Sequence, residues 1–437
     1  MDGERRRERL DWKGLRVEGT EVKPRYLRWK AHAAHGVGAG SGTGGGITAP
    51  HWLARAWRDR RAELRVMSSE TESGEEQGPG GRRPGGSDRV RLDGSDGEGG
   101  GQILRTALSL SLLTGRPFRI DRIRANREKP GLRPQHKTAV EAAAELGHAR
   151  VVGAAIGSRE LSFSPAEYEP RDLTLDIGTA GSTGLVLQTL HLPLALRANS
   201  GIRLALTGGT FNPKAPAFPF LESTWRGYLW ALGMPTSLTM PAAGFYPKGG
   251  GRLEAWIEPA QPRPWSATSR GPLRRIRGVA GVANLRDEIA ERMIARAVER
   301  LKAAGVVVEG VDLAIEAEQW ASPGQGAAIA LVAEHDGAIP ATFVGLGERG
   351  KLAETVADEA VDQLLAFEAV ADAPVDPHSA DQILLPLAMA SGRSEFAVSE
   401  VTEHLRTNAR TIAAFLERTI AIDEPEAPGQ PGRVVID

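Results

Sequence analysis

Three stretches of this chain carry residues able to do phosphate chemistry. The first, Asp93-Gly-Ser-Asp-Gly-Glu-Gly-Gly-Gly-Gln-Ile-Leu-Arg105, runs glycines and carboxylates into an apolar helix. Its glycines let backbone approach a ligand closely, which brings Glu98 near a phosphate or a metal. It is neither the dinucleotide fingerprint nor a Walker loop, which needs Lys-Ser/Thr after its last glycine. The second stretch is basic: Arg122, Arg124, Arg127, Lys129, Arg133, Gln135, His136 and Lys137 crowd a loop fixed by Pro130 and Pro134. Guanidinium forks match phosphate oxygens in pairs, so the loop suits a polyanion; a solvated basic loop is the plainer alternative. The third is His404-Leu-Arg-Thr-Asn408. Its imidazole is either a nucleophile or a structural histidine beside the helix caps Thr407 and Asn408. Asp381-Gln382, at another helix start, reads equally as a ligand contact or as a cap.

The elements that position these residues repeat. Ile103, Leu104, Ala107, Leu108 and Leu112 recur at the spacing of a buried helix face. The same passage from polar loop to apolar helix returns at Gly178-Thr-Ala-Gly-Ser182 into Leu185-Val-Leu-Gln188, and at His378-Ser-Ala-Asp-Gln382-Ile-Leu-Leu385. Gln102-Ile-Leu and Gln382-Ile-Leu are one tripeptide at one place in the unit. The first unit predicts strand 89–92, the Ile103 helix, strand 117–124, helix 136–146 and strands 148–152 and 160–164. The second predicts strand 173–177, helix 184–196, strand 202–207, helix 220–232 and strands 236–240 and 252–257. The third predicts the Asp381 helix, strand 395–401, helix 408–418 and strands near Ile420 and at 433–436, with no evident leading strand. The expected fold class is therefore α/β: three βαβαββ repeats in one large domain, covering 89–269 and 375–437. Residues 270–374 read as an inserted smaller α+β domain, with strands at 275–282, 306–317 and 327–334 and helices at 287–304 and 352–367. Residues 1–88 are rich in Arg, Gly, Ser and Glu and read as a disordered extension, with a short amphipathic helix at 51–66 and a natural start at Met67 as further expectations.

In 437 residues, 41% of them hydrophobic, there is material for a large core. The absence of cysteine removes disulfide and thiolate chemistry and fits a reducing cytoplasm. No apolar run approaches the roughly 20 residues that cross a bilayer, so no membrane partner is expected. A net charge of -1 argues against a whole-surface footprint for long nucleic acid and leaves a local patch as the place for any such contact.

Leu92-Asp-Gly-Ser-Asp-Gly-Glu-Gly-Gly-Gly-Gln-Ile-Leu-Arg105, Ile123-Arg-Ala-Asn-Arg-Glu-Lys-Pro-Gly-Leu-Arg-Pro-Gln-His136, Gly244-Phe-Tyr-Pro-Lys-Gly-Gly-Gly251, Ala380-Asp-Gln382 and His404-Leu-Arg-Thr-Asn408 together resemble the signature stretches of RNA 3'-terminal phosphate cyclases. The resemblance runs from about Arg89 to the C-terminus. It implies a ligase that forms phosphoric-ester bonds: ATP-dependent conversion of an RNA 3'-phosphate to a 2',3'-cyclic phosphate, with a divalent metal, Mg or Mn, assisting. It implies His404 as the nucleophile that takes AMP. It implies Gln188, His378, Ser379, Ala380, Asp381, Gln382, Glu98 and Arg105 around ATP, with Glu98 toward the metal, and Arg124, Arg127, Gln135 and His136 on the RNA 3'-phosphate. Two positions depart from that pattern: His378 stands where members often have Tyr, and Pro219 where an Asp is usual. A non-catalytic relative of ribosome assembly and an enolpyruvyl-transferase-like enzyme share the fold, but His404, Arg124 and His136 argue against the first, and the His404-to-Asn408 and Arg124-to-Arg127 loops against the second.

Overall fold

The computed structural model describes residues 89–437; the expected extension over 1–88, its helix and its alternative start lie outside the described residues. The chain opens with β1 (Val90–Asp93), α1 (Gln102–Thr114), β2 (Phe118–Asp121), α2 (Pro134–Leu146), β3 (Arg150–Val152) and β4 (Leu161–Ser164). These pair in the order β1-β2-β4-β3. The β1–β2 pair is parallel because α1 carries the chain back across the sheet, whereas β4 pairs antiparallel with both β2 and β3. Ile103, Leu104, Ala107 and Leu108 are all buried, as the apolar spacing requires. Gly115, at φ 72°, ends α1 with its N–H on the Ser111 carbonyl.

Next come β5 (Leu173–Asp176), α3 (Thr183–Arg197) and β6 (Ile202–Gly208). The following helix, α4, is Phe218–Phe220, a π-helical turn Leu221–Trp225 and Arg226–Ala231. It leads into β7 (Thr236–Ala242) and β8 (Gly251–Ile257), and the sheet order is β5-β6-β8-β7. Pro219 sits in the first turn of α4, where a missing N–H costs nothing. After β9 (Ser266–Ala267) the chain makes β10 (Leu273–Ala283), α5 (Glu288–Ala303), β11 (Asp312–Gln319), β12 (Gly326–His335), β13 (Ala341–Leu346) and α6 (Ala353–Glu368), with sheet order β11-β10-β12-β13. Last are α7 (Pro377–Met389), β14 (Ser394–Val398), α8 (Glu403–Ala413), β15 (Ile420–Asp423) and β16 (Gly432–Ile436), in a sheet ordered β15-β16-β14-β9.

No leading strand was evident for the third predicted unit; the strand β9 pairs parallel with β14 although β10 through α7 separate the two in sequence. Two residues carry no periodicity, so only the pairing reveals it. One apolar core joins α1, α2, α3, α7 and α8 to three sheets, through Leu108, Val140, Leu190, Ile383 and Leu405 among others. A second, with Ile276, Met293, Ile329, Phe343 and Leu364, belongs to β10–β13 and their helices. The fold is thus mixed α/β.

The structure departs from expectation in several places. The strand expected over 117–124 stops at Asp121, because Arg122 and Arg124 adopt φ 54° and leave the extended region. The strand expected from Val306 begins only at Asp312. The strand β13 was not expected, its small residues Ala341, Thr342 and Gly345 blurring the alternation. Finally, α8 begins at Glu403 rather than Asn408, with consequences for His404.

Candidate active site

The cap of α8 is Thr402, whose Oγ1 accepts from the Leu405 N–H at 3.1 Å. His404 therefore stands in the first turn, and the reading of Thr407 and Asn408 as caps is corrected: both are buried inside the helix. Asn408 accepts from Thr106 Oγ1 at 2.7 Å and donates to the Asp381 carbonyl at 2.6 Å, tying α8 to α1 and α7 at once. The three elements bearing Gln102, Asp381 and His404 are held in one register by that amide.

What the register creates is a chain of hydrogen bonds. Gln102 Nε2 donates to Asp381 Oδ2 at 2.7 Å. Its Oε1 is thereby left to accept from His404 Nδ1 at 2.8 Å. With the amide in this orientation the proton of the neutral imidazole sits on Nδ1, and Nε2 is the edge turned toward Glu98, 3.3 Å from its Oε2. Arg127 Nη2 donates to the same Glu98 oxygen at 2.7 Å. His404 is 42% exposed, so its reactive edge can be reached from solvent. Burial depresses its pKa, Glu98 opposes that, and Arg105, Arg127 and His378 add to it. The outcome is an imidazole kept neutral, as a nucleophile must be.

Behind the relay, burial pushes Asp381 up to about 7, against the pull of Arg105. The same burial brings Arg105 down to about 10, with Asp381 holding it up. A cleft opens here, lined by Gln102, Arg105, Gln188, Trp225, Asp381 and Gln382. Gln188 Nε2 donates to Gln382 Oε1, and Gln382 Nε2 donates to the His378 carbonyl at 2.5 Å. Asp376 caps α7, accepting from the His378 and Ser379 N–H groups and from the Ser379 hydroxyl. Ser379 and Ala380 are thus turned into the core, at 1% and 0% exposure, while His378 stands exposed.

The basic loop divides by function. Arg127 joins Glu98 and His404, but Arg124 donates to the Lys129 and Gly131 carbonyls at 2.6 and 3.0 Å and so staples its own loop. His136 is 3% exposed and accepts at Nδ1 from the Arg133 N–H at 3.1 Å, opening α2. Burial, reinforced by Arg105, Arg124 and Arg133, brings its pKa down to about 3, so it is a neutral N–H donor and carries no charge for a phosphate. Gln135 lies against Gly181, whose side chain, if it had one, would meet Gln135 Oε1 at 2.9 Å. The glycines ahead of α1 are required by these neighbours: a Cβ at Gly101 would collide with His136 Nε2 and stand 3.0 Å from Arg105 Nη1. Gly101→Ala is therefore expected to leave a folded protein in which the ATP reaction that the resemblance implies is weakened roughly 10²-fold, since displacement of about 1 Å at a reacting group costs that much. Circular dichroism with label transfer from ATP checks both parts.

Gln102, Asn408, Thr106 and Asp376 were absent from the expected site residues. For Gln102 a signal existed, the shared Gln-Ile-Leu of α1 and α7, but its meaning needed the partner His404.

The family model described as RNA 3'-terminal phosphate cyclase matches residues 96–422. A protein named RNA 3'-terminal phosphate cyclase from Ectopseudomonas mendocina is 44% identical over 329 residues, covering 75% of this chain and 93% of its own. Proteins of the same name from Koribacter versatilis and Sulfurisphaera tokodaii are 43% identical over 344 residues and 41% identical over 337. They cover 78% and 76% of this chain and 94% and 96% of their own.

Proposed function

The chain belongs to the RNA 3'-terminal phosphate cyclase family, and from that membership we propose that it cyclises RNA 3'-phosphates at the expense of ATP, with His404 as nucleophile. The observation that carries the assignment of His404 is the pair of bonds through Gln102, which hold Nδ1–H and free Nε2. A 3'-phosphomonoester has no good leaving group and must be activated as an anhydride. His404 Nε2 attacks the α-phosphorus of ATP; the Nε2–P bond forms as the bridging P–O bond breaks and pyrophosphate departs. An oxygen of the RNA 3'-phosphate then takes the AMP, breaking the P–N bond. The adjacent 2'-hydroxyl attacks the activated phosphorus, loses its proton and expels AMP. Its vicinal placement supplies a high effective molarity, so this last step asks mainly for charge stabilisation.

The residues share the work accordingly. Arg105, Gln188, His378, Asp381 and Gln382, with the backbone at Ser379 and Ala380, line the nucleotide side. Arg127 and Gln135, with the neutral His136 and the loop that Arg124 holds, face the RNA phosphate. Among the described residues no group of three or more His, Asp or Glu stands ready to hold a metal. Glu98 would offer a single carboxylate to an ion such as Mg, which keeps several waters and binds one or two carboxylates plus substrate phosphates. Such an ion would neutralise triphosphate charge. We read the three sheets of like pairing order as three repeats, 89–269 and 375–437, with 270–374 as the inserted unit. That arrangement gathers α1, α7 and α8 around one site.

Incubation with α-labelled ATP tests the reading, covalent retention of label being the expected result and its absence the contrary one. The acid side of the pH profile tests the electrostatics. With its pKa depressed, His404 stays neutral as pH falls through 6.5, so label transfer should fail only below that. Arg127→Ala removes a cation that depresses His404 and should move the limb to higher pH; Glu98→Gln removes the opposing carboxylate and should move it lower. Shifts of the same sign in both variants would contradict this account. Arg124→Ala should leave the limb unmoved and raise KM for the RNA end.

A further inference from the structure

The segment Gly244-Phe-Tyr-Pro-Lys-Gly-Gly-Gly251 has no part in the mechanism above, yet its structure is heavily constrained. Phe245 is buried and stacks on Phe211 with centroids 4.7 Å apart and planes 6° from parallel, and Phe211 stacks in turn on Trp320 at 4.7 Å. The Thr210 and Phe211 N–H groups donate to the Gly244 carbonyl at 2.9 and 3.1 Å, and Gly249 N–H donates to the Phe245 carbonyl at 2.7 Å. Gly249, at φ 64°, presses on Ala180, where a Cβ would stand 2.6 Å from the Ala180 Cα. This framework holds Tyr246 out into solvent at 76% exposure, the highest among the exposed large hydrophobic residues described. Lys248 follows it and Lys214 stands on the loop carrying Phe211; both are exposed, and neither has an ion-pair partner among the described residues.

A pinned loop that exposes an aromatic ring, with an unpaired lysine on it and another on the loop stacked against it, has the elements of a stacking platform for single-stranded nucleic acid, whose bases stack on a ring while ammonium groups neutralise phosphates. Its position favours the same partner. Gln135, on the RNA-phosphate side of the site, packs against Gly181, and Ala180 of that loop packs against Gly249. The Gly178–Ser182 loop is thus a common wall between the two places. We infer that Tyr246, Lys248 and Lys214 bind the nucleotides upstream of the RNA 3'-terminal phosphate, guiding the strand toward His404. This rests on the proposed cyclase reading and extends it to how the body of the substrate is held.

Fluorescence anisotropy of the full chain with a ten-nucleotide single-stranded RNA bearing a 3'-phosphate measures the surface without requiring catalysis. Tyr246→Ala is expected to weaken binding roughly 10-fold, with Tyr246→Phe close to the unmodified chain because the ring is kept. Lys214→Ala with Lys248→Ala should lower the slope of log affinity against log salt by about 1.4, at about 0.7 for each phosphate contact on a single strand. A dinucleotide with the same 3'-phosphate should bind all variants alike, and label transfer from ATP should be unchanged. Ten-nucleotide RNA held equally well by the Tyr246→Ala and unmodified chains, or equal losses for both RNA lengths, would overturn the inference. Failure of the unmodified chain to take label from ATP would instead strike the cyclase reading, and the anisotropy ratios would still judge the surface.

Discussion

With His404 replaced by alanine, the protein is expected to take no AMP from ATP, a loss of about 10⁴-fold or more, because no other group stands in the place of Nε2. The linkage in the unmodified protein should resist mild alkali and fall away in acid, as a phosphoramidate does and an acyl phosphate on Glu98 would not. His404→Ala should nevertheless cyclise an RNA supplied already adenylylated at its 3'-phosphate, since attack by the 2'-hydroxyl needs positioning and charge stabilisation but no protein nucleophile. His404 is partly exposed and in the first turn of α8, so its truncation leaves the core of that helix, Leu405 and Ile412, untouched. His136→Ala and His378→Ala are controls: an adduct that survives loss of His404, or that disappears only with one of these, moves the nucleophile elsewhere.

The second large effect belongs to Gln102. Leucine in its place keeps the volume but removes the acceptor for His404 Nδ1–H and the donor to Asp381. The imidazole is then free to place its proton on Nε2, and Asp381 loses a hydrogen bond to its charged form. Label transfer should fall by roughly 10²-fold or more, loss of the correct tautomer at a catalytic imidazole costing up to about 10⁴-fold. Gln102→Glu separates orientation from general damage: its carboxylate can still accept from Nδ1, but it meets the Asp381 carboxylate and requires a proton between them. Activity should be partly restored, with an altered pH profile. Cyclisation of pre-adenylylated RNA should be near normal in both variants. If Gln102→Leu takes up AMP at the ordinary rate, the orienting role is wrong, whatever its effect on stability.

Much of this molecule was legible in the chain alone. Helix periodicity is a local property, so Ile103 through Leu112 announced α1, and Gly115, Gly147 and Gly233 marked where helices or their following turns end. Glycines at 97, 99 and 101 signalled close approach before anything was known of the neighbours that demand it. The basic loop and His404 could be singled out by residue type.

Tertiary structure decided what those residues do. The hydrogen bond from His404 to Gln102 spans 302 positions, and only the packing of α8 on α1 through Thr106 and Asn408 creates it. Arg124 and Arg127 look equivalent in the sequence, yet a left-handed turn at Arg124 folds one guanidinium back on loop carbonyls and leaves the other for Glu98. The strand β9 has two residues and owes its existence to β14, far along the chain. Local patterns follow from each residue's own conformational preferences and spacing, whereas tautomer, charge state and pairing follow from the groups brought near it. For His404 those groups come from α1, α7 and the two loops that hold Glu98 and Arg127, and folding alone brings them together.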